Sequence, residues 1–317
     1  MLKIDPALFR PEAVSPETAA FNAELEAKLA EGPAIHDVPP VELRKAREEG
    51  RGVIPANGPR AGSDWIEADT PLGRVRVSRP AEAPSGVFIH IHGGGWTMGG
   101  PHLTDIWCQY LAREAGCVVV SLPYRLGPEN RWPACAEDVE AGTAWTLDNA
   151  AALFGVERFA IGGESAGAHL ALVALQKMRE AGRLGAFAAA LLHYGVFDLA
   201  LSPSAANWGA RNMILSTPTL RWFQANLTGP GADLADPLLS PINADLMGAP
   251  PALFQCGTVD PLIDDTLIMA ARWAAAGAEA EVNIVPGGVH AFDMFDLPIA
   301  AEARARGAAF VKARLAS

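Results

Sequence analysis

The sequence predicts an α/β fold with a mostly parallel sheet covered by helices on both faces. Two observations carry this prediction. Short apolar, β-branched runs recur from about residue 86 onward, and helical patterns fill most of the gaps between them. The runs are apolar along their whole length rather than alternating, as strands buried on both faces are. A third observation places a site on that sheet. Two Gly-rich motifs, His92-Gly93-Gly94-Gly95 and Gly163-Glu164-Ser165-Ala166-Gly167, each follow directly on one of these runs. Open α/β sheets bind ligands beyond the carboxyl ends of their strands, and both motifs fall there.

Phe21, Leu25 and Leu29 recur at i, i+4 and i+8, which predicts a helix over 21–30. Residues 31–62 are rich in Pro, Gly and charge, so 1–60 reads as a segment apart from the 61–317 body. Residues 65–67 and 74–77 flank Thr70-Pro71-Leu72-Gly73 and predict an antiparallel hairpin. Strands are expected at 86–91, 117–122, 158–161, 189–194, 252–256 and 281–285. Helices are expected at 106–115, 134–149, 166–180 and 262–276. The stretch from Phe197 to about Asp233 breaks the rhythm and reads as an excursion over the sheet, which in a compact domain is a lid or binding element.

Composition removes several function classes. The chain has 317 residues, half of them hydrophobic and 19% charged, and a net charge of −11. That balance argues against nucleic acid or an anionic membrane as a partner. No run reaches the length of a membrane span. The first residues, MLKIDPALFRPEAV, lack the apolar core of a signal peptide, so a cytoplasmic location is expected. The four cysteines form no C-x-x-C pair and read as buried, reduced thiols. No cofactor or metal is called for. His90-Ile91-His92 is the nearest thing to a ligand pair, and the glycine loop that follows explains it better.

The pattern Gly-x-Ser-x-Gly between a strand and a helix forms a nucleophile elbow, a sharp turn that lifts a serine hydroxyl above the sheet edge. Ser165 sits there, and Gly163 and Gly167 relieve the crowding two residues to either side. Acyl transfer passes through a tetrahedral oxyanion, and each preorganised N–H donor is worth about 3–4 kcal/mol. Three glycines after a strand let the backbone approach closely with N–H groups inward, and the residue after the nucleophile, Ala166, adds a donor. His92 is read as fixing this loop by hydrogen bonding. A serine hydroxyl needs a base. Of seven histidines only His193 and His290 lie well beyond Ser165. His193 falls inside an expected strand. His290 follows the last strand through Pro286-Gly287-Gly288 and is the candidate base, while His169, one turn below the serine, is read as packing. The acid that orients the base should follow the strand ending near Cys256. Asp260 fits, with Asp264 or Asp265 and then Asp198 as alternatives.

Taken with Tyr124-Arg125-Leu126-Gly127-Pro128-Glu129, Asp260-Pro261-Leu262-Ile263-Asp264 and His290-Ala291-Phe292, these motifs resemble the bacterial hormone-sensitive-lipase-like carboxylesterases, often called family IV. The resemblance spans nearly all of 64–295. It implies an α/β-hydrolase core with an eight-stranded, mostly parallel sheet. It implies a helical cap built from residues 1–60 and a second segment near 198–233. It also implies Gly94, Gly95 and Ala166 as the oxyanion donors. The chain departs from the pattern at Glu164, where Asp is usual, at Gly127 for Ala, and at Ala291 for Gly. Arg125 and Glu129 are read as a structural charge pair beneath the site.

The expected function is serine carboxylesterase activity on short-to-medium-chain acyl esters. An amidase or arylformamidase on the same scaffold is the alternative, and a non-catalytic ligand-binding protein the third reading. Trp96, Trp208, Met213, Trp222, Phe223 and Phe292 are the candidate substrate-binding residues, since bulky side chains narrow a pocket and contact a few methylenes. The expected partner is a small-molecule ester, and a homodimer is admissible.

Overall fold

The computed structural model describes residues 3–55 and 57–316. The described residues form one sheet of eight strands in the order β1-β2-β4-β3-β5-β6-β7-β8. The expected hairpin opens it: β1 (Ser63–Glu67) and β2 (Arg74–Ser78) pair antiparallel, with Trp65 opposite Arg76. β2 also lies antiparallel to β4 (Val118–Leu122). All later pairs are parallel: β3 (Val87–Ile91), β5 (Phe159–Glu164), β6 (Phe187–His193), β7 (Ala252–Val259) and β8 (Ala280–Val289).

The two-residue period of the strands divides the core between the faces. Val87, Ile89 and Ile91 of β3 pack with Val118, Val120 and Leu122 of β4 on one side. Helices α4 (Ala134–Phe154), α5 (Ala166–Glu180) and α8 (Ile263–Ala275) cover that side through Val139, Leu170, Met269 and Trp273. Phe88 and Val119 turn to the other side and meet α3 (Asp105–Ala115) and α9 (Pro298–Ala316) through Leu111, Ala112, Ala308 and Val311. Glycines in the left-handed region close α3 and α4, at Gly116 and Gly155. Helix α9 is absent from the sequence reading. Its buried positions are mainly small, Ala300, Ala303 and Ala308, so its apolar stripe is weak.

Two further groups of helices lie outside the alternation. The first is α1 (Pro16–Ala30), capped by Ser15, and α2 (Pro40–Glu48). The expected helix over 21–30 is the later part of α1, and it docks on β8 where Asn22 Nδ2 donates to Gly287 O at 2.8 Å. The excursion holds α6 (Pro203–Asn207) and α7 (Thr217–Thr228), the latter capped by Ser216. The groups meet where His36 Nδ1 lies 3.0 Å from Thr219 Oγ1. All four cysteines are buried free thiols. No helix among the described residues is long and apolar enough to cross a membrane.

Candidate active site

Ser165 alone separates β5 from α5. Its backbone is at φ 56°, ψ −118°, a conformation that costs a non-glycine residue energy and persists only where the surroundings impose it. The surroundings do so. A Cβ on Gly163 or on Gly167 would stand 2.0 Å from Ile91 O, the last residue of β3. The strand end therefore presses directly on the turn, and only glycine fits at either flank. Ser165 N donates to His193 O at 2.9 Å, which ties the turn to β6 as well.

Ser165 Oγ donates to His290 Nε2 at 3.0 Å. His290 Nδ1 donates in turn to Asp260 Oδ2 at 2.9 Å. Asp260 Oδ1 accepts from Leu262 N at 2.9 Å, and the carboxylate is fully buried. The alternatives for the acid lie elsewhere. Asp265 is fully buried and accepts from Phe197 N, Asp198 N and Ser202 Oγ. Burial pushes its carboxyl up to about 7 in spite of those three bonds. Asp264 accepts from Ser204 N, and Asp198 accepts from Ala200 N beside it.

The loop after β3 carries the glycines. Gly94 is at φ 119° and Gly95 at φ 57°, both in the region that favours glycine. A Cβ on Gly95 would also strike the Phe223 ring at 2.2 Å. Gly94 O accepts from Thr97 N and Met98 N, and Gly95 O accepts from Thr97 Oγ1 at 2.9 Å. Among the described residues none accepts the N–H of Gly94, Gly95 or Ala166. His92 donates from Nδ1 to Gly93 O at 2.8 Å and stacks on Tyr124 with centroids 4.2 Å apart. Burial lowers its pKa to about 3, so this imidazole is neutral. His169 accepts from Trp96 Nε1 at 3.1 Å and donates to Leu238 O and Leu239 O; burial lowers it to about 4. Ala291, just after His290, takes the left-handed conformation at φ 58°, ψ 27°, which costs an alanine about 1–2 kcal/mol.

Ser165, His290 and residues 92–96 open into a cavity of about 770 Å³. Its far wall comes from the N-terminal segment, through Ile35, Leu43, Val53 and Ile54, and from Ile214, Leu215 and Leu220 of the excursion. Of the six expected contact residues, Trp96 and Phe223 line it. The structure places the other four in packing. Met213 and Phe292 are fully buried in the core against α1 and β8. Trp208 is half-buried and donates to Arg211 O at 2.8 Å, and Trp222 lies against Phe223 with centroids 5.2 Å apart. Large aromatic size says where apolar surface must be covered, not by what.

The charge network also differs from the expected pairing. Arg125 holds Asp138 and Glu137, not Glu129. Glu129 is taken by Arg44 of α2. Two residues beside the site, Tyr194 and Asp293, carried no local signal in the sequence. Tyr194 packs edge-on against His290 at 4.8 Å and donates to Asp293 Oδ1. His193, at the end of β6, reaches the same carboxylate through Nδ1 at 2.8 Å. Burial works to raise the Asp293 carboxyl, but the His193 hydrogen bond and charge, the Tyr194 hydrogen bond and the nearby Arg304 together outweigh it and hold the group below the usual range.

A mostly parallel sheet, a serine on its central strand-to-helix turn, and a histidine and carboxylate from the last two strands define the α/β-hydrolase class. The alpha/beta hydrolase fold family matches residues 88–294. Carboxylesterase NlhH of Mycobacterium tuberculosis is 37% identical over 237 residues, covering 72% of this chain and 74% of that protein. Ethyl acetate hydrolase of Pseudomonas putida is 29% identical over 294 residues, covering 88% of this chain and 92% of that one. The solved structure of a hormone-sensitive lipase from a metagenome library superposes with a TM-score of 0.83 at 27% identity, covering 99% of this chain and all of that one. The chain belongs to the alpha/beta hydrolase family, in its hormone-sensitive-lipase-like carboxylesterase branch.

Proposed function

We propose that the protein hydrolyses short-to-medium-chain acyl esters through an acyl-enzyme, with Ser165 as nucleophile, His290 as general base and Asp260 as the group that orients it. The observation that carries the reading is the unbroken relay from Ser165 Oγ to His290 at 3.0 Å and from His290 to Asp260 at 2.9 Å. His290 takes the hydroxyl proton as Ser165 Oγ attacks the ester carbonyl carbon. The carbonyl oxygen becomes an oxyanion, for which the N–H groups of Gly94, Gly95 and Ala166 are the proposed donors. Collapse expels the alcohol, which receives the proton from the His290 imidazolium. Water then repeats the sequence on the acyl-enzyme and frees the acid. Asp260 keeps the imidazole in the tautomer with its proton on Nδ1 and stabilises the cation when it forms. The N-terminal segment 1–60 and the excursion near 198–233 act as the cap that closes the cavity, with Trp96 and Phe223 in contact with substrate. The name of the ethyl acetate hydrolase and the apolar lining both favour small uncharged esters. Fluorophosphonate labelling with peptide mapping tests the reading. Label on Ser165, lost together with ester turnover in Ser165→Ala, supports it; turnover that survives in the variant overturns it.

A further inference from the structure

We propose that Arg44 is a positioning residue for hydrolysis: from the N-terminal helix α2 it sets the peptide that presents the Gly95 N–H to the oxyanion. The proposal rests on the reading above that this N–H is a donor.

The guanidinium is held at four places. Arg44 Nε donates to Thr97 O at 2.7 Å, and one terminal nitrogen donates to Gly127 O at 2.5 Å. The two terminal nitrogens also engage Glu129, at 3.0 Å to Oε1 and 2.7 Å to Oε2. The fork thus bridges two loops that also meet through Gly127 N to Trp96 O at 2.8 Å and Tyr124 Oη to His92 O at 2.9 Å. Planar geometry makes this possible, since an ammonium offers no comparable fork.

What the fork holds is the turn behind the oxyanion donors. Arg44 fixes the carbonyl of Thr97. Thr97 N donates to Gly94 O at 3.1 Å, and Thr97 Oγ1 donates to Gly95 O at 2.9 Å. The Gly94 carbonyl and the Gly95 N–H belong to one planar peptide and point in opposite directions. Holding the carbonyl back therefore aims the N–H. Gly94 and Gly95 are at positive φ, where glycine has wide freedom, so this peptide needs an external brace. Arg44 supplies it from a segment that also walls the cavity: Leu43 and Ala46, on either side, line it. One helix thus both walls the cavity and braces the donor peptide.

The test compares Arg44→Ala, Arg44→Lys and Glu129→Gln with the wild type. Readouts are kcat and KM on a short-chain aryl ester, inhibition by phenylboronic acid, and the thermal midpoint. The boronic acid forms a tetrahedral, anionic adduct on a serine hydroxyl, so it reports the oxyanion site. A misplaced group costs about 10- to 100-fold in rate, and that loss is expected in kcat for Arg44→Ala with KM within about threefold. Phenylboronic acid should weaken by a comparable factor. Arg44→Lys should recover little, Glu129→Gln should lose less because the backbone bonds remain, and added guanidinium ion should restore part of kcat in Arg44→Ala. If Arg44→Ala does not fold, Arg44→Lys carries the same comparison. Unchanged kcat and boronic acid inhibition in a folded variant overturn the proposal, as does a loss confined to KM. Failure of the underlying serine reading shows itself separately, as turnover in Ser165→Ala.

Discussion

Asp260 and His290 leave neighbouring strands from paired positions. Val259 of β7 and Val289 of β8 are register partners after a shift beyond Gly257, and the residue that follows each strand is one member of the pair. Backbone pairing thus sets the 2.9 Å contact between carboxylate and imidazole before any side-chain packing is considered. The sheet itself is the jig for the relay.

Asp260→Asn tests what the carboxylate does within that frame. An amide of the same shape keeps the loop but stabilises no imidazolium and admits the wrong tautomer. The expected loss in kcat is about 10³- to 10⁴-fold with KM little changed. Steady-state kinetics on one aryl ester check it; a loss under tenfold would show that the contact is only structural.

Tyr194→Phe removes the hydroxyl that Asp293 accepts while keeping the ring against His290. A buried acceptor that loses its donor costs about 1–3 kcal/mol. Urea denaturation should register that destabilisation, with kcat reduced only a few-fold. Tyr194→Ala, which removes the ring, should lose more activity than the phenylalanine variant. Equal activity in the two variants would mean the ring does not steer the base.

Asp265 predicts a slope of stability with pH. Its folded pKa is raised by burial to about 7 from an ordinary 3.8. Between those values the folded state binds more protons than the unfolded state, so stability falls as pH rises through that window. Asp265→Asn keeps an acceptor for Phe197 N and Asp198 N and removes the buried charge. Urea midpoints taken from pH 4 to pH 8 should therefore show a flatter slope in the variant than in the wild type; parallel slopes would count against the assignment.

The acyl-length preference is read from kcat/KM for a homologous series of aryl esters from acetyl to palmitoyl. Each methylene that finds apolar wall gains up to about 0.8 kcal/mol, until the wall ends. The maximum is expected at eight carbons or fewer. A maximum at twelve or longer, or activation at an oil–water interface, would make the protein a lipase.

The parts of this molecule that a sequence shows well are those fixed by neighbours in the chain. Runs such as Val118–Leu122 are buried on both faces and so are apolar throughout. Ser165 is marked because its glycine flanks are required by a strand end pressing on the turn. What stays hidden is fixed across long separations. Arg44 reaches residues 53 and 85 positions away, and nothing around it in the chain distinguishes it from a surface arginine. Asp265 looks like a first-turn charge, and only the return of 197–202 over the helix buries it. Met213 and Phe292 are as apolar as any pocket residue, but their surface is spent on the core.

The strand that leads into His290 lies at the rim of the sheet and has a single neighbour, β7. Its side chain reaches back 125 positions along the chain to Ser165. On the ribosome Ser165 and the glycine loop emerge long before the proposed base does. A nascent chain therefore carries Ser165 without its proposed base over the 125 residues that separate the two. On the proposed relay, competence toward esters arrives late, when the final strand adds to the rim.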